Sequence, residues 1–133
     1  MGKRNTARRL AVQALYHAEM ANESIEQSIL NVLESEPFIP ETVDFAQKLA
    51  HTAWEKKDQS DKIITEMSID WPLDRIGKVD RAILRLSLSE IDTGTTPVSV
   101  IINEAVELAK KYSSPEAAKF INGILGAFVR KPA

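Results

Sequence analysis

Apolar residues recur along this chain at the spacing of helix faces, not at the alternation of strands. Leu10, Ala11, Ala14, Leu15, Ala18 and Ala21 form one stripe, and the pattern predicts a first helix opening near Asn5 or Thr6 and running to about Ala21, where Asn22 suits an exit. Ser24, with Gln27 three residues on, reads as a capping box for a second helix reaching about Ser35. The stretch Glu36-Pro37-Phe38-Ile39-Pro40 breaks it, because each proline removes a backbone donor and biases its predecessor towards extended geometry. A third helix is expected from Glu41 to about Lys57, and Asp58 or Ser60 should cap a fourth that ends before Trp71-Pro72. A fifth should span roughly Gly77 to Asp92 and stop at Gly94. No alternating run is bounded by hairpin turns, so strands are not expected.

In the last third of the chain Ile101, Ala105, Leu108, Ala109 and Tyr112 recur at helical spacing, with Pro97 at a position where its missing N–H costs nothing. Ser114-Pro115-Glu116 restarts the chain with an N-cap serine, a first-turn proline and a carboxylate at the positive end of the helix dipole. The fifth helix is apolar on two sides. At about 100° per residue, Val79, Ala82, Ile83 and Leu86 line one face, and Leu84, Leu88 and Ile91 line another roughly opposite. A helix apolar on two sides must be covered on two sides. The expected architecture is therefore all-α: about seven helices in two small bundles packed through a shared central helix. Residues 1–133 then make one domain with subdomains of roughly 1–70 and 71–133. A rival arrangement keeps one bundle and gives the second face to a protein partner.

With 133 residues, 44% of them hydrophobic, and only 5 Gly and 6 Pro, the chain suits one packed domain. The absence of cysteine fits a reducing cytosol and leaves no disulfide or thiolate metal site. No apolar run approaches the roughly 18 residues of a membrane span. The formal net charge of -2 argues against a nucleic-acid partner until its distribution is considered. Lys3, Arg4, Arg8 and Arg9 all precede the first acid, Glu19, which makes a short cationic arm able to neutralise phosphates. The plainer reading is a solvated terminus. On either reading the fold should be indifferent to the arm, which lies outside the expected core.

Arg9, Gln13, Tyr16 and Met20 fall opposite the buried stripe of the first helix and put a guanidinium, an amide and an aromatic ring on one face. Single-stranded RNA is bound by such a mixture, with cations for phosphate, an amide for base edges and a ring for stacking. The plainer account of Tyr16 is a second core contact with its hydroxyl at the surface. In the last helix Ala117, Ile121, Ile124, Leu125 and Phe128 make a core face, with Lys119, Gly123 and Gly126 on the other side and Glu116 and Phe120 flanking. Each glycine costs roughly 1 kcal/mol in a helix interior, which close approach of another backbone would justify. Phe120 is either a boundary core residue or a stacking platform. His17 and His51 lie on different helices without metal-ligand or triad spacing, and Asp58, Asp61 and Glu66 lack the glycine turn of a cation-binding loop. No catalytic constellation rises above background, and neither a cofactor nor a metal is expected.

Three segments together carry a resemblance: Arg8-Arg9-Leu10-Ala11-Val12-Gln13-Ala14-Leu15-Tyr16, Val79-Asp80-Arg81-Ala82-Ile83-Leu84-Arg85-Leu86, and the run from Thr96 through Asn103-Glu104-Ala105 to Lys119-Phe120-Ile121-Asn122-Gly123. In order and approximate spacing, over nearly the whole chain, they resemble the NusB family of transcription antitermination factors. The resemblance implies a pair of three-helix bundles that bind a single-stranded boxA-type element in ribosomal RNA leaders. It implies as partners the small-subunit ribosomal protein NusE and the RNA polymerase antitermination complex, in the cytoplasm, with no chemistry of the protein's own. It also extends the RNA-binding set from Lys3, Arg4, Arg8, Arg9, Gln13 and Tyr16 to Glu116, Lys119, Phe120 and Asn122. Glu116 stands where the family can have an aspartate, and Asn5 and Thr6 stand among positions that are basic in some relatives. Two other readings are a helical protein-interaction module with an incidental basic arm, and the RNA-binding domain type carried by rRNA methyltransferases. The chain lacks a glycine-rich strand–helix unit for a methyl-donor cofactor and starts at Met1, so it reads as complete.

Overall fold

Helix ends fall mostly where the capping chemistry puts them. In the computed structural model, which describes residues 3–68 and 72–131, there are seven α-helices: α1 (Lys3–Ala21), α2 (Ile25–Leu33), α3 (Pro40–Glu55), α4 (Lys57–Met67), α5 (Lys78–Thr93), α6 (Val98–Tyr112) and α7 (Pro115–Arg130). A short 3-10 turn at Leu73–Arg75 precedes α5. The Ser24 hydroxyl accepts from the Gln27 N–H at 3.1 Å, and the Ser114 hydroxyl accepts from the Ala117 N–H at 3.0 Å. Gly94 takes the left-handed conformation, φ 72°, that closes α5. Asn22 does the same after α1 with φ 54°.

Three boundaries differ from expectation. α1 begins at Lys3, ahead of Asn5, because its first turn is held against α3: Lys3 pairs with Glu41 at 2.9 Å, and Arg4 lies over the Phe45 ring at 4.8 Å. α2 stops at Leu33, short of Ser35. Neither Asp58 nor Ser60 caps α4. Lys56 ends α3 and starts α4 with φ -94° and ψ 9°, so the chain turns without leaving the helical neighbourhood, and Ser60 is buried within α4. Trp71, expected to mark the end of this region, lies outside the described residues.

α1, α2 and α3 pack on one another, and α6 packs on α7, while α5 touches α1, α3, α4, α6 and α7. The protein is thus all-α, two bundles joined through a shared central helix. Ala7, Ala11, Ala14 and Ala18 of α1 and Ala46, Ala50 and Ala53 of α3 are all buried, and their small side chains let helix axes approach closely. Ala21, expected in this stripe, is exposed because α1 ends there and the chain turns away. Every residue from Arg81 to Glu90 is buried, so both apolar faces of α5 are covered within the chain.

That burial includes charge. Glu90 receives Arg8 in a two-point hydrogen bond, Nε to Oε1 at 2.7 Å and Nη2 to Oε2 at 2.8 Å. Arg85 donates to both oxygens of Asp61, at 2.9 and 2.7 Å, and to Glu19 at 2.8 Å. Arg81 donates to the Leu73 carbonyl at 2.8 Å. Arg8, expected on an open cationic arm, is therefore only 3% exposed and belongs to the core. Its hydrogen bond to Glu90 raises its pKa further above the arginine range against the opposing effect of burial. For Arg85, burial opposes the charge and the hydrogen bonds to Asp61 and Glu19 outweigh it, so its pKa is raised as well.

Removing one member of a buried ion pair leaves the other charged and unpaired, at a cost of about 3–5 kcal/mol. Arg8→Ala is accordingly expected to lower the unfolding free energy by an amount in that range, and a joint apolar replacement of Arg8 and Glu90 should recover most of it in urea melts. The sensitivity of the fold to this position replaces the expected indifference.

Acid should also loosen the α1–α4–α5 junction. The Arg85 hydrogen bond, against burial and with help from the charges of Arg85, Lys78 and Arg81, holds the Glu19 carboxyl below its usual range. A carboxylate whose pKa is lower folded than unfolded stabilises the fold above the unfolded value of about 4.3, and that contribution is lost as pH falls through the folded value. Glu19→Gln should be less stable at neutral pH and show a shallower fall in stability between about pH 5 and 3.

Candidate nucleic-acid interface

Because Arg8 points to α5, its neighbour Arg9, about 100° further round α1, is turned towards α6. Arg9, Val12, Gln13 and Tyr16 of α1 meet Val79 of α5 and Leu108 and Tyr112 of α6 around a cleft of about 250 Å³. The structure thus brings three of the expected residues, Arg9, Gln13 and Tyr16, to one open cleft. Tyr16 is 37% exposed and Met20 further along the same side is more so, so part of the Tyr16 ring is open to solvent while it lines the cleft beside Val79 and Leu108. Arg9 makes no ion pair with any described residue. A more polar hollow adjoins the cleft and shares Arg9, Leu108 and Tyr112 with it, adding Asn5, Thr6, Glu104, Glu107, Lys110 and Lys111.

The other expected residues are distributed differently. Lys3 and Arg4 lie on the α3 side of α1, engaged by Glu41 and Phe45, and Arg8 is buried. On α7, Lys119 and Asn122 line a hollow against Asn103, Val106 and Lys110 of α6. Glu116 and Phe120 line a separate one with Arg75, Ile76, Gly77 and Asp80. The α7 set therefore occupies two sides of its helix. Phe120 is half-buried and packs on the core, which makes it a boundary residue. Lys110 lines both the polar hollow beside Arg9 and the hollow of Lys119, so the α1 and α7 residues meet through the end of α6.

Sequence reasoning missed Lys111 and Tyr112. Tyr112 fits the apolar stripe of α6 by spacing, yet it is 41% exposed, while Ile101, Ala105 and Ala109 of that stripe are buried. The available signal was its place as the last residue of α6, next to the Ser113–Pro115 corner, where packing from a neighbouring helix gives out. Among the described residues no backbone approaches the α7 glycines closely: a Cβ at Gly123 would meet open space, and one at Gly126 would meet only the flexible Arg130 guanidinium.

Fold and cleft together define a class: a small two-bundle helical protein whose open surface pairs aromatic rings with cations and an amide. Comparison with known proteins is more specific. The NusB family model matches residues 5–130. The transcription antitermination protein NusB of Bacillus subtilis (strain 168) is 41% identical over 124 residues, covering 92% of this chain and 92% of that protein. That of Chloroflexus aggregans is 35% identical over 132 residues, covering 97% and 88%. Among solved structures, one of the antitermination factors NusB and NusE in complex with double-stranded RNA superposes with a TM-score of 0.90 at 30% identity, covering 98% of each chain. T. maritima NusB gives 0.88 at 30% identity, covering 100% of this chain and 94% of that one. The chain belongs to the NusB family.

Tyr16 and Phe120 are expected to separate binding from folding. Tyr16→Ala should cost less than about 1 kcal/mol of stability, because its face is open, while weakening RNA binding about ten-fold. Phe120→Ala should cost appreciably more stability, approaching the roughly 3–5 kcal/mol of a buried aromatic truncation in proportion to its partial burial. Denaturant melts beside RNA titrations on the two variants read both effects.

Proposed function

We propose that this protein is an RNA-binding transcription antitermination factor that holds a single-stranded boxA-type leader element together with ribosomal protein NusE and promotes read-through by RNA polymerase. The observation that carries the reading is the convergence of Arg9, Gln13 and Tyr16 on one open cleft in a chain of this family. An exposed ring beside a guanidinium and an amide suits an unpaired base, since bases inside a duplex do not offer their faces for stacking. The relatives' names supply the antitermination role, and the neighbour solved with NusE and RNA supplies the class of partner. The site set is Arg9, Gln13 and Tyr16, with Lys119 and Asn122 reached past Lys110, and Lys3, Arg4, Glu116 and Phe120 outside that track.

The protein acts by binding, without catalysis. His17 is held by Glu23 at 3.1 Å and His51 by Glu26 at 3.7 Å, each an exposed surface pair, and no group of three potential metal ligands occurs among the described residues. No helix of the described residues is long and apolar enough to cross a membrane. The bacterial cytoplasm, where leader transcripts are made, is the proposed place of action.

Titration of the full chain with boxA-type RNA over a range of salt tests this reading. Log affinity should fall linearly with log salt by about 0.7 for each phosphate neutralised, and Arg9→Ala should reduce that slope by about 0.7 without altering the melt. Absence of binding at low salt, or a slope unchanged in Arg9→Ala, would overturn the assigned surface.

A further inference from the structure

Away from the α1–α6 cleft, α3 and α5 line a separate hollow of about 200 Å³ that shares no residue with it. Phe45 and Leu49 give this hollow apolar walls, and its polar lining includes Lys48 and Thr52 of α3 and Ser89 and Glu90 of α5. Ser89 is only 3% exposed, yet its hydroxyl makes no hydrogen bond to any described residue. Ser87, two positions earlier, is satisfied within its own helix, donating to the Ile83 carbonyl at 2.8 Å. A buried hydroxyl with its donor unused is costly, and calls for a partner from outside the chain. The Thr52 hydroxyl is likewise without a partner among the described residues.

Charge selects the partner. Lys48 is exposed and makes no ion pair with any described residue. Arg4, over the Phe45 ring at 4.8 Å, has no carboxylate partner among them either. The carboxylate in the wall, Glu90, has one oxygen engaged by Arg8 at 2.7 Å and the other at 2.8 Å. Among the acids of α3 and α5, Glu41 is paired with Lys3 and Asp92 with Lys56, and Asp44, one turn before Lys48, stands outside ion-pair distance of it. The uncommitted groups are thus an ammonium and hydroxyls, which suit a ligand that accepts hydrogen bonds and carries negative charge. We propose that the α3–α5 hollow binds a small organic oxyanion, its phosphate or carboxylate group held between the Lys48 ammonium and the hydroxyls of Ser89 and Thr52, with Phe45 and Leu49 against its carbon body. The hollow is smaller than the roughly 300–1,000 Å³ of sites for drug-sized ligands, so that body is compact. The site stands apart from the RNA-binding reading and does not rest on it.

The test titrates the full chain with inorganic phosphate and, separately, with acetate, each at an ionic strength held constant with chloride, and follows backbone amide shifts by NMR. Saturable shifts should gather at residues 48–52 and 89–95, and the anion that binds should raise the melting temperature above that in chloride alone. Saturation by phosphate only assigns a phosphate group to the ligand, and saturation by acetate only assigns a carboxylate. Lys48→Met should weaken binding about ten-fold, the loss of one charged donor, and melt as the parent does because Lys48 is exposed and unpaired. Ser89→Ala removes the buried hydroxyl without adding bulk and should also weaken binding. Arg9→Ala should leave these shifts unchanged, which separates this hollow from phosphate held in the α1–α6 cleft. No saturable shift with either anion, or parent-level binding in both Lys48→Met and Ser89→Ala, would overturn the proposal.

Discussion

A helix buried along ten consecutive residues cannot carry charge without naming its partners, and α5 carries three charges in that stretch. Arg81, Arg85 and Glu90 are themselves buried, each less than a tenth exposed. Each would be costly alone, and the solution is a set of contacts reaching to other elements: Glu90 to Arg8 of α1, Arg85 to Asp61 of α4 and Glu19 of α1, and Arg81 to the Leu73 carbonyl ahead of the helix. Such pairs contribute little net stability compared with well-packed apolar groups, since desolvation offsets the attraction. Their geometric demand is larger. A two-point arginine–carboxylate contact fixes distance and direction together, and Arg8 and Glu19 bind α5 at the two ends of α1. Sliding or rotating α1 by one residue would break both contacts at once.

The proposed RNA-binding face follows from that register. With Arg8 committed inward, Arg9 has one direction left, towards α6, and Gln13 and Tyr16 follow it one and two turns along the same side. α6 is positioned by its own buried positions, Ile101, Ala105 and Ala109, against α5 and α7, which leaves its last turn at the mouth of the cleft. The exposed cleft is thus built from residues that do not themselves stabilise much, held in place by charges that are not exposed.

The helices were legible in the sequence because periodicity and capping are local. Ser24 and Ser114 cap as their spacing with Gln27 and Ala117 requires, Gly94 takes the left-handed turn, and the double apolar face of α5 foretold two bundles. The geometry of the candidate site was half legible. Arg9, Gln13 and Tyr16 share a face by arithmetic on one helix, and the structure keeps them together. Arg8 was misread because its partner lies 82 positions away, and nothing local distinguishes an arginine that meets a buried carboxylate from one that meets a phosphate. Tyr112 was missed for the complementary reason: its spacing is that of a core residue, and only the end of packing at the α6–α7 corner exposes it. The α7 residues Glu116, Lys119, Phe120 and Asn122 sit close in sequence but span the helix, so adjacency along the chain did not make them one surface.

Charge accounting explains why aromatic contacts must matter in a protein with net charge -2. Of the four cations at the start of the chain, Lys3 faces Glu41, Arg4 covers Phe45 and Arg8 is enclosed with Glu90, which leaves Arg9 as the arm's cation without an internal partner. Each phosphate neutralised on a single strand contributes a slope of only about 0.7 in log affinity against log salt, so one or two cations give modest electrostatic binding. A stacking ring contributes roughly 1–3 kcal/mol and is insensitive to salt by comparison. On the proposed reading, affinity built from few charges and stacking contacts is expected to be weak in the isolated chain and to depend on geometry more than on potential. A second protein on the same RNA would raise it by joining two modest contacts into one, without either surface needing more charge.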